Sequence, residues 1–87
     1  MSKLRDMPNL GDVVVKQLKA IGIQTPDELR SLGSVRAALK LSDAGFEVCS
    51  SKLAALEGAI RGVRWHTIPS EERAGLRDSF DKQRAGG

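Results

Sequence analysis

Cysteine, aromatic side chains and long apolar runs are all scarce in this sequence of 87 residues. The single cysteine, Cys49, excludes an internal disulfide and a multi-cysteine metal site, and it is typical of a protein in a reducing compartment. No stretch approaches the roughly 20 apolar residues of a membrane span, and the first residues lack the apolar run of a secretory signal. We therefore expect a soluble, cytoplasmic protein that does not contact a membrane.

The aromatic complement is limited to Phe46, Trp65 and Phe80, so the core must be built from Leu, Val, Ile and Ala. Such a core favours packed helices, because strands prefer β-branched and aromatic side chains. A chain of this length supports one core, and its 40% apolar and 29% charged residues are ordinary for a globular protein. We predict an all-α fold, with a single domain over residues 1–83 and a flexible tail over 84–87.

The charge of the chain is mildly basic, with a formal net charge of +3 from 14 basic and 11 acidic residues. Basic and acidic residues are interleaved along the sequence and do not form a block. Charge alone therefore permits a nucleic-acid partner without requiring one.

Glycine, proline, serine and threonine divide the sequence into about five helical segments, and no segment alternates as a strand does. The first helix is predicted over Asp12 to Ala20, with Asp12 as its N-cap and Gly22 as its stop. The second begins at the strongest local signal in the chain, where Thr25 caps the helix and Glu28 completes a capping box.

The other three helices are predicted from similar start and stop signals. Their starts are expected at Ser34, at Ser50 or Ser51, and at Pro69 or Ser70, and the third and fifth are expected to end near Ala44 and Lys82. The fourth helix carries apolar residues at the spacing of one helical face, namely Leu53, Leu56, Ile60 and Val63.

Catalysis needs a nucleophile or paired titratable groups, and the sequence offers one histidine, His66, and Cys49. A Cys–His dyad is the sharper interpretation, but a free cysteine is more often a small buried hydrophobe, and His66 is expected to make a structural hydrogen bond. Paired carboxylates such as Glu71 and Glu72 fall in predicted first helical turns, where the helix dipole explains them. We therefore expect a protein that is not an enzyme and that has no cofactor or metal.

The segment from Met7 to Gly11, followed by the first predicted helix, resembles a helix-hairpin-helix element, whose hairpin amides and helix N-terminus can hold a DNA phosphate. Asp12 places a carboxylate where the phosphate would lie, and the hairpin contains one glycine instead of the usual pair. We therefore favour a structural role for the hairpin. Direct phosphate binding, aided by Lys16 and Lys19, is the alternative.

A second basic cluster, Arg61, Arg64 and His66, surrounds Trp65 after the fourth helix. The helix dipole favours arginine at a C-terminus, whereas arginine and tryptophan are also frequent in binding hot spots. Trp65 is expected to be buried, because the core has few large residues. The candidate residues for contacting a nucleic acid or a protein partner are Asn9, Gly11, Lys16, Lys19, Arg61 and Arg64.

Two segments resemble the C-terminal domain of the TfoX/Sxy family of bacterial competence regulators. The more specific one runs from Ala55 to Trp65 and reads ALEGAIRGVRW; the other joins the MPNLG hairpin to IGIQT and to the Glu28, Leu29, Arg30 stretch. The resemblance covers about residues 7–80, and it implies an all-helical domain with a role in activating competence genes as a transcriptional co-regulator.

Family members commonly pair this domain with an N-terminal α/β domain. The resemblance therefore leads us to expect a regulatory or interaction module whose partner is a protein of the transcription machinery or a separate TfoX N-terminal-type domain. Direct, largely sequence-independent DNA binding is the alternative function, and self-association is compatible with both.

Overall fold

The structure is a computed structural model that describes residues 3–86, and it confirms the all-α prediction for that part of the chain. Five α-helices follow one another in these residues, with one short 3₁₀ turn before the first helix and another between the fourth and the fifth. No helix within 3–86 is both long and apolar enough to cross a membrane. The α-helices are α1 (Asp12–Ala20), α2 (Pro26–Leu32), α3 (Ser34–Asp43), α4 (Ser50–Arg61) and α5 (Ser70–Gly86), and the 3₁₀ turns span Leu4–Asp6 and Trp65–Thr67.

The start of α2 is the local signal that the structure reproduces best. The Oγ1 atom of Thr25 accepts a hydrogen bond from the backbone N–H of Glu28 at 3.2 Å and donates one to the Glu28 carboxylate at 3.2 Å. Pro26 occupies the start of the helix, where its missing N–H costs nothing. The predicted cap is therefore confirmed.

Two other helices have a different N-cap residue from the predicted one. Gly11, not Asp12, is the N-cap of α1, and Gly33, not Ser34, is the N-cap of α3. The hydroxyl of Ser34 instead donates to the Glu57 carboxylate at 2.7 Å, a contact between α3 and α4. In each case the residue with a capping side chain lies one position inside the helix, because a glycine before it takes the extended or left-handed backbone of the cap.

Cys49 caps α4. Its Sγ atom accepts the backbone N–H of Lys52 at 3.4 Å, and the side chain is exposed. The expectation that this cysteine is a buried hydrophobe is therefore wrong. The thiol replaces the serine or threonine that usually fills this position.

The core forms where α3, α4 and α5 pack together, with the N-terminal segment closing one side. Helix α4 is buried on most of its circumference, because it carries alanine and glycine between its leucines. Phe80 of α5 is the largest fully buried side chain. The N-terminal segment contributes Leu4, Met7 and Leu10.

The C-terminal ends of α4 and α5 also differ from the prediction. Helix α4 ends at Arg61, and its C-cap Gly62 adopts φ = 77°, so Val63 leaves the predicted core face and is 39% exposed. Helix α5 continues past Lys82 to Gly86. Gly87 lies outside the described residues, and the flexibility of the predicted tail stays a prediction.

Candidate functional site

Asn9 joins the N-terminal hairpin to the turn that follows α4. It is the only non-glycine residue among those described with a positive φ, at 70°, a conformation that asparagine tolerates better than most residues. Its Nδ2 donates to the carbonyl oxygen of Val63 at 2.8 Å, and its Oδ1 accepts the backbone N–H of Trp65 at 3.1 Å. Both sides of the amide are therefore engaged within the protein.

Gly58 lies directly beneath this amide. A Cβ atom at position 58 would be 2.6 Å from Asn9 Nδ2, 2.8 Å from the Val63 oxygen and 3.2 Å from the Trp65 Cα. Any side chain would push these atoms apart, so glycine is required for the close approach. We call the group of Asn9, Gly58, Val63 and Trp65 the amide clamp.

Trp65 is half-buried, so the prediction of a buried tryptophan is wrong. Its ring stacks on the imidazole of His66, with the two ring centroids 4.1 Å apart. The guanidinium carbon of Arg73 lies 5.4 Å from the Trp65 ring centroid, at a distance suited to a cation–π interaction. His66 and Cys49 thus have separate structural partners, Trp65 and the Lys52 amide.

Arg61 is neutralised by two carboxylates. Its Nε lies 2.6 Å from Glu57 Oε2 and its Nη1 lies 2.9 Å from Glu72 Oε1, so it links α4 to α5. The hydrogen bonds that the Arg61 guanidinium donates to Glu57 and to Glu72 raise its pKa above its ordinary value. Arg64 is exposed and lies just before the second 3₁₀ turn.

Lys16 and Lys19 lie on the exposed side of α1, where the first 3₁₀ turn brings two further cations beside them. Two adjoining hollows share Arg5 and Lys19; one also contains Lys3, and the other contains Lys16. We call this feature the basic groove, defined by Lys3, Arg5, Lys16 and Lys19. Gly11, at the start of α1, is exposed.

The six candidate contact residues are therefore not one cluster. Lys16 and Lys19 share the basic groove, whereas Asn9 belongs to the amide clamp and Arg61 to the ion pairs between α4 and α5. Sequence reasoning missed Lys3 and Arg5, because they lie outside the hairpin and reach Lys19 only when the 3₁₀ turn packs on α1. The one signal in the sequence is apolar Leu4 between them, because a buried Leu4 packs this turn against the rest of the fold.

A third feature is a shallow hollow of about 480 Å³ between the end of α1, α2 and α3. Ile21, Ile23 and Leu32 supply its apolar surface, and Asp27 and Glu28 supply acidic groups. We call it the α2 hollow. Ser31 and Lys40 also line it.

The family sequence model of the TfoX C-terminal domain matches residues 1–80 of the chain. The protein belongs to the TfoX C-terminal domain family. This confirms the resemblance drawn from the hairpin and from the segment ending at Trp65. In the structure these two segments meet at the amide clamp, so the residues that carry the family pattern are in direct contact.

Two solved structures have a similar fold. A crystal structure of an uncharacterized protein from Listeria monocytogenes, in a triclinic form, is 36% identical with a TM-score of 0.87, covering 94% of this chain and 93% of that one. A protein of unknown function from Listeria monocytogenes, in a tetragonal form, is 38% identical with a TM-score of 0.81, covering 91% and 96%. A search of curated proteins gave no match.

Proposed function

We propose that this TfoX C-terminal domain is a regulatory module that acts by binding a partner protein and not by catalysis, and that it contributes to the control of competence gene expression. The observation that carries the proposal is the family match over residues 1–80. The link to competence is what the resemblance to TfoX regulators implies. Its mechanism would be to hold a partner in position.

The contacts of the reactive side chains support a role in binding. The Cys49 thiol serves as the cap of α4, and the His66 ring packs on Trp65. The amide of Asn9 and the guanidinium of Arg61 connect separate elements of the fold. These reactive side chains thus stabilise the domain, and we assign partner binding to other surface residues.

The α2 hollow is the surface that we propose for the protein partner. Its half-buried apolar side chains, Ile21 and Leu32, lie beside exposed carboxylates, and the side chain of Asp27 is 94% exposed. This combination suits a partner segment that inserts one apolar side chain and places a basic one next to it. We propose a protein of the transcription machinery as the occupant. A separate TfoX N-terminal-type domain is the other candidate.

Ser31→Arg tests this proposal, because Ser31 is exposed and an arginine there would fill the α2 hollow without entering the core. Ala74→Arg, at an exposed position of α5, is the matched control. In cells that lack the gene, competence transcripts should be restored by the wild-type chain and by Ala74→Arg, and only weakly by Ser31→Arg. Circular dichroism should show that both variants fold.

Unchanged competence transcripts after deletion of the gene would overturn the regulatory role. Equal restoration by Ser31→Arg and Ala74→Arg would overturn the assignment of the α2 hollow. Binding of the purified chain to RNA polymerase, weakened by Ser31→Arg only, would support the proposed occupant. The same pattern with a separate N-terminal-type domain, and no binding to the polymerase, would replace that occupant with the second candidate.

A further inference from the structure

The distribution of neutralised cations over the surface is uneven. Four basic side chains, Arg30, Arg61, Arg77 and Lys82, form ion pairs with carboxylates. No cation of the basic groove forms an ion pair with a described carboxylate. Four cations therefore line the groove with one carboxylate, that of Asp12, and the groove carries an excess of positive charge.

The groove is formed by two elements and does not depend on a helix end. Its cations are Lys3 and Arg5, at the start of and within the first 3₁₀ turn, and Lys16 and Lys19 on the exposed side of α1. The turn is anchored by Leu4, which is 1% exposed, and α1 is anchored by Val15, which is 4% exposed. The two rows of cations are therefore carried on packed backbone, and little backbone entropy is lost when they bind a ligand.

We propose that the basic groove binds the phosphate backbone of duplex DNA. Neutralising phosphates with lysine and arginine releases counterions from the duplex, and this release drives binding that does not depend on sequence. The inference goes beyond the proposed function and uses a different surface, since the groove and the α2 hollow have no residue in common.

The lining of the groove favours a duplex over other polyanions. Single-stranded nucleic acids bind to platforms of aromatic side chains, and no aromatic residue lines this groove. Membrane surfaces are bound by inserting apolar side chains, but the apolar lining residues Leu4 and Val15 are buried. A double helix presents its phosphates on the outside and keeps its bases stacked inside. Contacts from flexible cations to phosphates alone therefore suit a duplex.

Asp12 offers a substitution that should increase the affinity for DNA, because its carboxylate also lines the groove. Its negative charge opposes a phosphate that approaches Lys16 or Lys19. Asp12→Asn should therefore strengthen duplex binding by about two- to fivefold at low salt. A side chain with only a structural role in starting α1 would not increase affinity when it is neutralised.

The experiment is a fluorescence anisotropy titration of a mixed-sequence duplex with the purified chain at several salt concentrations. With about four phosphate contacts, the affinity should fall about 150-fold between 50 and 200 mM salt, since the logarithmic slope is about −0.9 per contact. Lys16→Ala with Lys19→Ala should halve that slope, to about −1.8. Arms with single-stranded DNA and with anionic lipid vesicles should show weaker binding.

Charge reversal supplies the matched control. Lys16→Glu with Lys19→Glu should weaken binding by about tenfold or more at 50 mM salt. Arg36→Glu with Arg84→Glu makes the same change of net charge at exposed positions of α3 and α5, outside the groove and the α2 hollow, and should retain most of the affinity. Thermal unfolding should confirm that both double variants fold.

Several results would overturn the proposal. These are no duplex binding at 50 mM salt, equal losses for the two charge-reversed variants, or an unchanged or lower affinity for Asp12→Asn. Tighter binding to vesicles than to the duplex would reassign the groove to an anionic membrane surface. Each of these results leaves the effect of Ser31→Arg on competence transcripts unaltered, so the two proposals can fail separately.

Discussion

Gly58 and Gly75 both lie inside α-helices, yet they have opposite surroundings. A Cβ atom at Gly58 would be less than 3.0 Å from two atoms of the amide clamp, whereas a Cβ atom at Gly75 would have no neighbour within 4 Å. Glycine inside a helix costs stability relative to alanine in both places. At Gly58 that cost is offset by the close approach of Asn9, and at exposed Gly75 the structure gives no packing reason for it.

The comparison separates residues that hold the fold from residues that the fold tolerates. The amide clamp connects the hairpin to the end of α4 through two hydrogen bonds. Helix α5 packs on the rest of the molecule through the side that carries buried Phe80, and its opposite side is exposed. The same type of substitution should therefore change the free energy of unfolding in opposite directions, and by different amounts, in the two regions.

The largest effect is expected for Asn9→Ala, which should lower the free energy of unfolding by about 2 to 5 kcal/mol. The loss combines two hydrogen bonds, each about 0.5 to 1.5 kcal/mol, with an alanine held at positive φ, about 1 to 2 kcal/mol. Urea unfolding followed by circular dichroism measures it. Asn9→Gly should recover only the backbone part, and a glycine variant as stable as wild type would mean that the hydrogen bonds contribute nothing.

The next effect is expected for Gly58→Ala, which should destabilise the protein by about 1 to 3 kcal/mol through overpacking. The contact with the Asn9 side chain can be tested in a double-mutant cycle. Because Asn9→Ala removes the amide that crowds position 58, the two losses should be less than additive. Strict additivity in urea unfolding would show that the crowding comes from the backbone of Val63 and Trp65 alone.

The smallest effect, and the opposite sign, is expected for Gly75→Ala. It should stabilise the protein by about 0.5 to 1 kcal/mol, because alanine has the higher helix propensity and meets no neighbour. The melting temperature should rise. A lower melting temperature would show that α5 needs a flexible point at this position and would remove the contrast with Gly58.

Local signals in the sequence were sufficient for the helices and insufficient for the site. The bounds of α1 and α2 follow from Thr25, Gly22 and Gly33, whose effects act within one helical turn. The exact caps at Gly11 and Gly33 were missed, because serine and aspartate next to them are better cap residues in isolation. Cap choice was decided by backbone conformation, since Gly33 has φ = 89°.

The candidate site depended on contacts between distant parts of the chain. The sequence leaves Arg61 either as a helix-end residue or as part of a recognition patch, and its partner Glu72 of α5 reaches it only after α4 and α5 pack. Asn9 looked like a hairpin residue facing a ligand, and its partners are more than 50 positions away in the chain. Contacts of this range leave no periodic pattern, so only the family resemblance connected the two segments beforehand.

The separation between Asn9 and its partners also has a consequence for folding. The two hydrogen bonds of its amide span 54 and 56 residues, so the hairpin cannot reach its final form until most of the chain has left the ribosome. Long-range contacts of this kind slow folding, because a large loop must close before they form. We therefore expect a nascent chain that stops before Trp65 to have an unsettled N-terminus, and the whole domain to acquire its native form in one late cooperative step.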